Sequence, residues 1–306
     1  MEESFKELVK ELGFENAEKI IHLYLYARYL PHYLYYLGSP IGLAERKPPG
    51  EIPKEIEEML EVLTGKVARD VISPETSTYH GKVVPLSLAC DLVSVKEDVE
   101  LRGLERVIPY KIARDIVLKN PESIAVLNCG CRMLREKPCE PIDVCLAVGD
   151  PFASFAVERG YLNARRISQD EACEILKAEN RRGHVHAAYF KDAAGDRFYA
   201  ICNCCSCCCL GMLAWNRFGV PILASSGFVA KVEEGECNAC GDCESICPFS
   251  AIEVGDIAVV KEDKCMGCGV CEEVCPAGVI SLKRDPSKPE PLDINQLIKN
   301  SGKEGN

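Results

Sequence analysis

Long apolar segments and targeting signals are missing from this sequence of 306 residues. No stretch offers 18 or more consecutive apolar residues without a charge, the length that a membrane-spanning helix requires. Residues 1–8 are charged and amphipathic, whereas a signal peptide needs an uninterrupted apolar core. We therefore expect a cytoplasmic protein without a transmembrane segment.

Signatures of nucleotide, haem and nucleic-acid binding are also missing. The sequence contains no Walker A loop, no G-x-G-x-x-G after a predicted strand and no C-x-x-C-H motif, so nothing indicates ATP, nicotinamide or haem binding. Lysine and arginine total 36 against 47 acidic residues, which gives a formal net charge of −11. Because no basic stripe is available to neutralise phosphates, we expect no nucleic-acid partner.

Cysteine, in contrast, is abundant, with 20 residues. One cysteine lies within 1–125, eleven lie within 126–215 and eight lie within 233–284. In a small secreted protein such a number would indicate disulfides. In a chain without a secretion signal it indicates metal binding, as iron–sulfur clusters or as zinc.

The N-terminal part of the chain is predicted to be helical. Apolar residues recur at helical spacing over 5–12 and 56–63, and Pro31 is expected to break a tyrosine-rich helix over 20–37. A further helix is predicted over 109–119. Two interpretations of the tyrosine-rich helix stay open: it is buried or faces a partner, or it contacts a membrane surface or a quinone.

The middle of the chain combines strands with a capped helix. A short strand over 124–127 is predicted to deliver the chain to Cys129. Ser168 and Glu171 form a capping-box pattern before a helix that should end near Arg181. The segments 184–190 and 197–202 flank a glycine-containing turn, which predicts a β-hairpin. Together with the helices, these elements predict an α+β fold.

The C-terminal cysteines follow one pattern twice. Residues 237–248 and 265–276 each read C-x2-C-x2-C-x3-C-P. A loop with a thiolate at every third residue can ligate three irons of one cubane, while the fourth cysteine begins a helical turn and reaches the other cubane. A zinc ribbon, the alternative, closes with four ligands and would leave half of these cysteines without a role.

This segment, over about 233–284, resembles the bacterial-type two-cluster ferredoxins. The resemblance implies two [4Fe–4S] clusters in a duplicated fold, with strands over 228–232, 251–254, 257–260 and 279–282. It implies that the first cluster is bound by Cys237, Cys240, Cys243 and Cys275. It implies that the second cluster is bound by Cys265, Cys268, Cys271 and Cys247.

Ten further cysteines form a second set of candidate metal ligands. They are Cys129, Cys131, Cys139, Cys145, Cys202, Cys204, Cys205, Cys207, Cys208 and Cys209. Three interpretations stay open: one or two additional iron–sulfur clusters that extend an electron wire, a specialised cluster with an open iron that binds substrate, or zinc or a structural thiol site.

A second resemblance covers roughly 105–280. The segments N-C-G-C-R, G-x-V-H and C-N-C-C-x-C-C-C look like those of uncharacterised iron–sulfur proteins of anaerobic bacteria and archaea, which commonly end in a ferredoxin-like domain. This resemblance implies that the upstream cysteines bind metal and work with the ferredoxin clusters. It implies no particular activity.

Five further residues fall outside these sets of candidate ligands, and three of them have competing interpretations. Cys173, inside the capped helix, is expected to be a buried structural thiol. His184 and His186 either supply a cluster ligand or proton donor or are satisfied histidines of the hairpin. Arg132 either stabilises thiolates, or binds an anion, or forms a surface salt bridge. Nothing in the sequence assigns a role to Cys90.

The predicted organisation follows from these patterns. It comprises a helical region over 1–125, a cysteine-rich metal-binding region over 126–215, a linker over 216–232, a two-cluster ferredoxin domain over 233–284 and a mobile tail over 285–306. We expect a protein that relays single electrons through its C-terminal clusters to or from upstream clusters and a redox partner protein. The alternatives are a reductase whose upstream cluster binds substrate and a sensor of oxygen or iron.

Overall fold

The computed structural model describes residues 3–13, 16–71, 79–158 and 160–301. Its helices are α1 (Glu3–Glu11), α2 (Ala17–Arg28), α3 (Leu30–Gly38), α4 (Lys54–Val71), α5 (Leu86–Val93), α6 (Phe152–Glu158), α7 (Gln169–Arg181), α8 (Leu210–Phe218), α9 (Asp242–Ile246), α10 (Val270–Val274) and α11 (Ile294–Ser301). Helices account for 39% of the chain and strands for 23%, which confirms a mixed fold of helices and sheets. No helix within the described ranges is long and apolar enough to cross a membrane.

The strands alternate with these helices rather than following them. They are β1 (Tyr79–Val83), β2 (Val99–Leu101), β3 (Ile116–Asn128), β4 (Asp143–Asp150), β5 (Arg165–Ile167), β6 (Val185–Lys191), β7 (Arg197–Cys204), β8 (Leu223–Ala224), β9 (Phe228–Val232), β10 (Ile252–Val254), β11 (Ala258–Val260) and β12 (Ile280–Arg284).

The predicted N-terminal helices are confirmed. Asn16 caps α2 by accepting a hydrogen bond from the backbone N–H of Glu18 at 2.7 Å. The tyrosine-rich segment breaks at Tyr29 because Pro31, at the start of α3, cannot donate a helical hydrogen bond. Tyr26 and Tyr33 are buried in the core, so these helices cover the sheet with their aromatic side.

A mixed sheet lies beneath the helices, with the strand order β2-β3-β4-β7-β6-β1-β8 and β5 beside β3. The predicted hairpin is confirmed: β6 and β7 pair antiparallel, and Gly195 adopts a φ of +77° in the turn between them. The capped helix is confirmed as α7, where the Ser168 hydroxyl accepts from the N–H of Glu171 at 3.1 Å. Every residue of β6 is buried, so this strand lies at the centre of the core.

The helix predicted over 109–119 is wrong. Turns and bends occupy 105–114, and β3 begins at Ile116, where it pairs with β2. Ile116, Val117 and Leu118 are buried in that pairing, and β-branched side chains fit a pleated surface better than a helix. The N-terminal 125 residues therefore hold helices up to Val71 and add β1, α5, β2 and most of β3 beyond residue 79.

The C-terminal part forms two small sheets, with β9 paired to β12 and β10 paired to β11. The expected linker over 216–232 instead contains the end of α8, β8 and β9. The expected mobile tail packs on the protein up to Ser301, since Leu292 and Ile294 are buried and α11 contacts α5 and β2. Residues 302–306 of that tail lie outside the described residues.

Candidate metal centres

The two C-terminal motifs adopt the same local structure. In each, a glycine with φ near +85°, Gly241 or Gly269, precedes a five-residue helix, and the fourth cysteine of the motif ends that helix. Positive φ is accessible to glycine at little cost. The chain can therefore turn sharply between the second and third cysteines of each motif, which brings the first three thiols together.

Cys247, the last cysteine of the first motif, lies with the thiols of the second motif. A small cavity is lined by Cys247, Cys265, Cys268 and Cys271. Backbone N–H groups point at two of the sulfurs, from Ala251 to Cys247 at 3.3 Å and from Ala230 to Cys265 at 3.5 Å.

Electrostatic interactions follow the same grouping. Burial, assisted by the neighbouring Cys247 and Cys265, raises the pKa of Cys268 to about 12. The pKa of Cys243 is raised by burial and by Cys240 and Cys237 of its own motif, and Cys243 in turn contributes to the raised pKa of Cys271. The structure therefore collects the first three thiols of the first motif in one place and pairs Cys247 with the other motif.

The upstream cysteines separate into two groups, of which the first contains four thiols. The sulfurs of this four-thiol group all lie within 4.8 Å of one another, and its members are Cys139, Cys205, Cys207 and Cys208. Cys207 is exposed, so the group lies at the protein surface. The loop between β7 and α8 supplies three of the thiols, and Cys139 approaches from the loop before β4, with its sulfur 2.9 Å from that of Cys207.

The spacing of the four-thiol group constrains what it can hold. A tetrahedral ion with metal–sulfur bonds of about 2.3 Å separates its thiolates by about 3.8 Å. Hydrogen bonding from Cys208 lowers the pKa of Cys205 to about 5, whereas burial raises the pKa of Cys139 to about 12. Four converging thiols, one of which ionises readily, form a competent site for a soft metal ion or cluster.

The remaining six upstream thiols influence one another in a closed ring. The pKa of each thiol is shifted by the side chains of two neighbours, so the six lie close together in space. In ring order the members of this six-thiol ring are Cys129, Cys131, Cys209, Cys204, Cys202 and Cys145. Hydrogen bonds from their neighbours hold the pKa values of Cys129 and Cys209 well below the ordinary range.

The secondary structure explains how the ring closes. Cys145 on β4 and Cys202 and Cys204 on β7 belong to neighbouring strands, and residues two apart on a strand share a face. Cys129 follows β3 directly, and Cys209 is the residue before α8. Two stretches of the chain, 129–145 and 202–209, thus deliver thiols to one side of the sheet.

A cavity of about 540 Å³ lies beside the six-thiol ring, and all six ring cysteines line it. Its remaining lining is mainly aliphatic and aromatic, and Arg132 is the only charged residue lining it in the described part of the chain. Ile41 and Phe218 line the cavity and are also exposed, at 51% and 54%, so the cavity reaches the surface between α3 and α8. The volume falls within the range of small-molecule sites.

Phenol groups also border the cavity. Tyr26 and Tyr199 hydrogen-bond to each other, and Tyr189 approaches the sulfur of Cys204 at 3.9 Å. Behind them, the ammonium of Lys191 is fully buried and lies 4.8 Å from the ring centre of Tyr26 and 5.3 Å from that of Tyr79. Burial lowers the pKa of Lys191.

Arg132 lies between the two upstream groups and is fully buried. Its guanidinium donates to Glu179 at 2.8 Å and to the carbonyl of Asn203 at 3.2 Å. Burial lowers its pKa, but the carboxylate of Glu179 and the charges of Cys129 and Cys205 outweigh this effect and raise it. The surface salt bridge considered for Arg132 is therefore wrong, because the ion pair is internal and contributes positive charge beside both thiol groups.

With this geometry in place, the C-terminal segment can be compared with known proteins. Residues 236–279 match the family model of the 4Fe-4S dicluster domain. No curated protein and no solved structure matches the chain. The dicluster domain, together with the four-thiol group, supports iron–sulfur cofactors and indicates iron–sulfur electron transfer.

One sequence expectation near the thiols is wrong, and the structure also bears on the two histidines. Cys173 is joined to Cys90 in a disulfide between α5 and α7, so the expectation of a free structural thiol is wrong. The two positions are 83 residues apart, and only the packing of α5 on α7 brings them together. His184 hydrogen-bonds to Glu179 at 2.7 Å, as expected of a satisfied histidine, whereas His186 hydrogen-bonds to Asn203 at 2.6 Å through Nδ1 and its buried Nε2 has no partner among the described residues.

Sequence reasoning did not find the phenols and the lysine around the cavity. Tyr189, Lys191 and Tyr199 lie on the predicted hairpin, and Tyr199 lies three residues before Cys202. The one available signal was the spacing of Ala200, Cys202 and Cys204, which places three cavity-lining residues on one face of β7.

Proposed function

We propose that this protein is an iron–sulfur electron carrier whose dicluster domain holds two [4Fe–4S] clusters. The observation that carries the proposal is the match of 236–279 to the dicluster family together with the doubled cysteine motif. One cluster is assigned to Cys237, Cys240, Cys243 and Cys275. The other is assigned to Cys265, Cys268, Cys271 and Cys247, in agreement with the cavity that these four thiols share.

The protein's own groups would hold each cluster and set its potential. When bound, a [4Fe–4S] cluster accepts and releases one electron at a time. The thiolates fix the irons, and the N–H groups of Ala230 and Ala251 donate toward cluster-ligating sulfurs. Such hydrogen bonds offset negative charge on the cluster and raise its potential.

A short connection joins the dicluster domain to the upstream thiols. Cys209 directly precedes α8, and the Asn216 side chain near the end of α8 donates to the carbonyl of Pro248 at 3.0 Å. Pro248 follows Cys247, a proposed cluster ligand. We propose that electrons move between the dicluster domain and one or two upstream metal centres along this contact, and that a redox partner protein docks near an exposed cysteine such as Cys240 or Cys207.

A reductase is the second candidate, favoured by the cavity of about 540 Å³ beside the six-thiol ring. A carrier needs no internal chamber, since electrons can pass between centres through packed protein. In this alternative, the dicluster domain would supply electrons to an upstream centre that a small molecule reaches.

The proposal is tested by determining iron and acid-labile sulfide in anaerobically purified full-length protein. We expect about eight irons from the dicluster domain and additional iron from the upstream groups. The variant Cys268→Ser should lose iron and part of the visible absorbance, whereas Cys173→Ser, which lies outside every proposed ligand set, should keep both. Protein that contains only zinc, or Cys268→Ser with an unchanged iron content, would contradict the proposal.

A further inference from the structure

The thiol count of the six-thiol ring does not fit an ordinary cubane. A [4Fe–4S] cluster takes four thiolates, and two separate clusters take eight. A single tetrahedral ion also takes four. Six thiols in one closed ring therefore exceed the needs of one such centre and fall short of two, which points to a polynuclear centre of a different kind.

The ring is also separate from the four-thiol group. All six of its members line the cavity, whereas Cys205 is the one member of the four-thiol group that does so. Cys207 is exposed to solvent, while Cys129, Cys204 and Cys209 are buried. Nothing in the described residues except Arg132 brings a positive charge to this wall of the cavity. Because Arg132 is already paired with Glu179, bound metal cations would be the main source of positive charge for thiolate ligands at this wall.

The cavity selects for the kind of molecule that could reach such a centre. It runs from the exposed Ile41 and Phe218 to the ring sulfurs, and Leu210, Ala214 and Phe218 form one face of α8 along its wall. An apolar lining penalises a charged ligand, because no opposing charge would replace its hydration. The paired hydroxyls of Tyr26 and Tyr199 can hydrogen-bond to one polar atom of an uncharged ligand.

We propose that the six-thiol ring binds one polynuclear metal–sulfur centre, distinct from the four-thiol group, and that the adjoining cavity admits a small, uncharged, largely apolar molecule to it. This inference rests on the proposed function, since it assigns the ring one of the upstream centres. It adds the division of the ten thiols into six and four, and the class of ligand. The dicluster domain provides an internal reference, because its iron is measured separately.

Serine variants in the two groups test the division. Cys145→Ser and Cys202→Ser, on different strands, should lose the same metal complement and the same electron paramagnetic resonance signal of the reduced protein. Cys139→Ser and Cys207→Ser should leave that signal in place. The inference is overturned if ring variants keep their full metal content, or if all four variants remove one common signal. Wild-type protein that contains no iron in its dicluster domain would instead contradict the proposed function.

The cavity is tested with n-butyl isocyanide, an uncharged apolar molecule whose terminal carbon binds iron. Titration into the reduced full-length protein should shift the resonance signal assigned to the ring. Ala214→Phe, which narrows the cavity between Phe218 and the ring, should weaken the apparent affinity at least about tenfold with unchanged metal content. The control variant Val62→Phe introduces the same phenylalanine side chain at an exposed position of α4 and should leave the affinity unchanged. An unshifted signal, or equal affinities in wild-type and Ala214→Phe protein, would refute the role of the cavity.

Discussion

The phenol oxygens of Tyr26 and Tyr199 lie 2.5 Å apart, although the two residues are 173 positions apart in the chain. This hydrogen bond connects α2 to β7 at the border of the cavity, three residues before the ring cysteine Cys202. Tyr199 also hydrogen-bonds to Tyr79 on β1, so three elements meet at one buried polar contact. The hydrogen-bonded pair thus holds helix α2 against β7, the strand that carries two cysteines of the six-thiol ring.

We expect the two tyrosines to be energetically coupled. Tyr26→Phe and Tyr199→Phe each leave a buried hydroxyl with one partner fewer, which costs about 1–3 kcal/mol. The double variant should cost less than the sum, with a coupling energy of about 1 kcal/mol, because no unpaired hydroxyl then remains between them. Anaerobic urea denaturation of the four proteins measures this cycle, and strictly additive values would show that the contact carries no energy.

The buried Arg132–Glu179 pair should be costly to break from one side. Glu179→Gln removes the carboxylate and leaves the guanidinium buried, which we expect to lower the free energy of unfolding by about 3–5 kcal/mol. Glu174→Gln, which removes an exposed partner of Lys177 on the same helix, should change it by less than about 1 kcal/mol. Urea denaturation followed by circular dichroism compares the two, and similar small losses would contradict the structural importance of the pair.

Gly267 is expected to be essential for seating the dicluster domain on the segment before β9. A Cβ at this position would overlap the carbonyl oxygen of Phe228 and the hydroxyl of Ser226. Gly267→Ala should therefore destabilise the protein by about 2–4 kcal/mol and release cluster iron faster. Gly278 has the same positive φ, +66° against +64°, but open space around it, so Gly278→Ala should cost only about 1 kcal/mol. Thermal denaturation of the two variants, monitored by cluster absorbance, separates the steric effect from the backbone effect. Equal losses of stability in Gly267→Ala and Gly278→Ala would contradict the overlap.

Local patterns in the sequence predicted the elements that depend on local chemistry. The cap at Ser168, the break near Pro31 and the β6–β7 hairpin follow from hydrogen-bonding groups or a fixed φ within a few residues, and the structure confirms all three. The segment over 109–119 failed because its apolar residues fit a helix in isolation, whereas pairing with β2 makes them a strand.

The division of the upstream thiols could not be read from spacing. Cys204 and Cys205 are adjacent, yet one joins the six-thiol ring and the other joins the four-thiol group, because β7 ends between them and the chain turns. Cys139 reaches its group across 66 residues of sequence from Cys205. Such long-range convergence depends on the order of strands in the sheet, which the cysteine pattern does not encode.

The side chain of Lys82 makes stability depend on pH. It is fully buried on β1 and donates to the carbonyl of Glu290 at 2.9 Å, where it fastens the C-terminal segment. Burial, assisted by the charge of Arg284, lowers its pKa from 10.5 to about 7. Between pH 7 and 10.5 the unfolded chain therefore holds a proton that the folded chain has released. The free energy of unfolding should rise with pH across this interval, by up to about 1.4 kcal/mol per pH unit.

Lys82→Met should remove this dependence, because the unfolded chain then has no proton to lose at this position. Lys54→Met, at an exposed lysine of α4, should keep the wild-type slope. Urea denaturation at intervals between pH 7 and 10, followed by far-ultraviolet circular dichroism, gives the slope for each protein. Parallel curves for wild-type and Lys82→Met would show that the buried amine keeps its proton in the folded state, with the carbonyl of Glu290 sufficient to hold the charge.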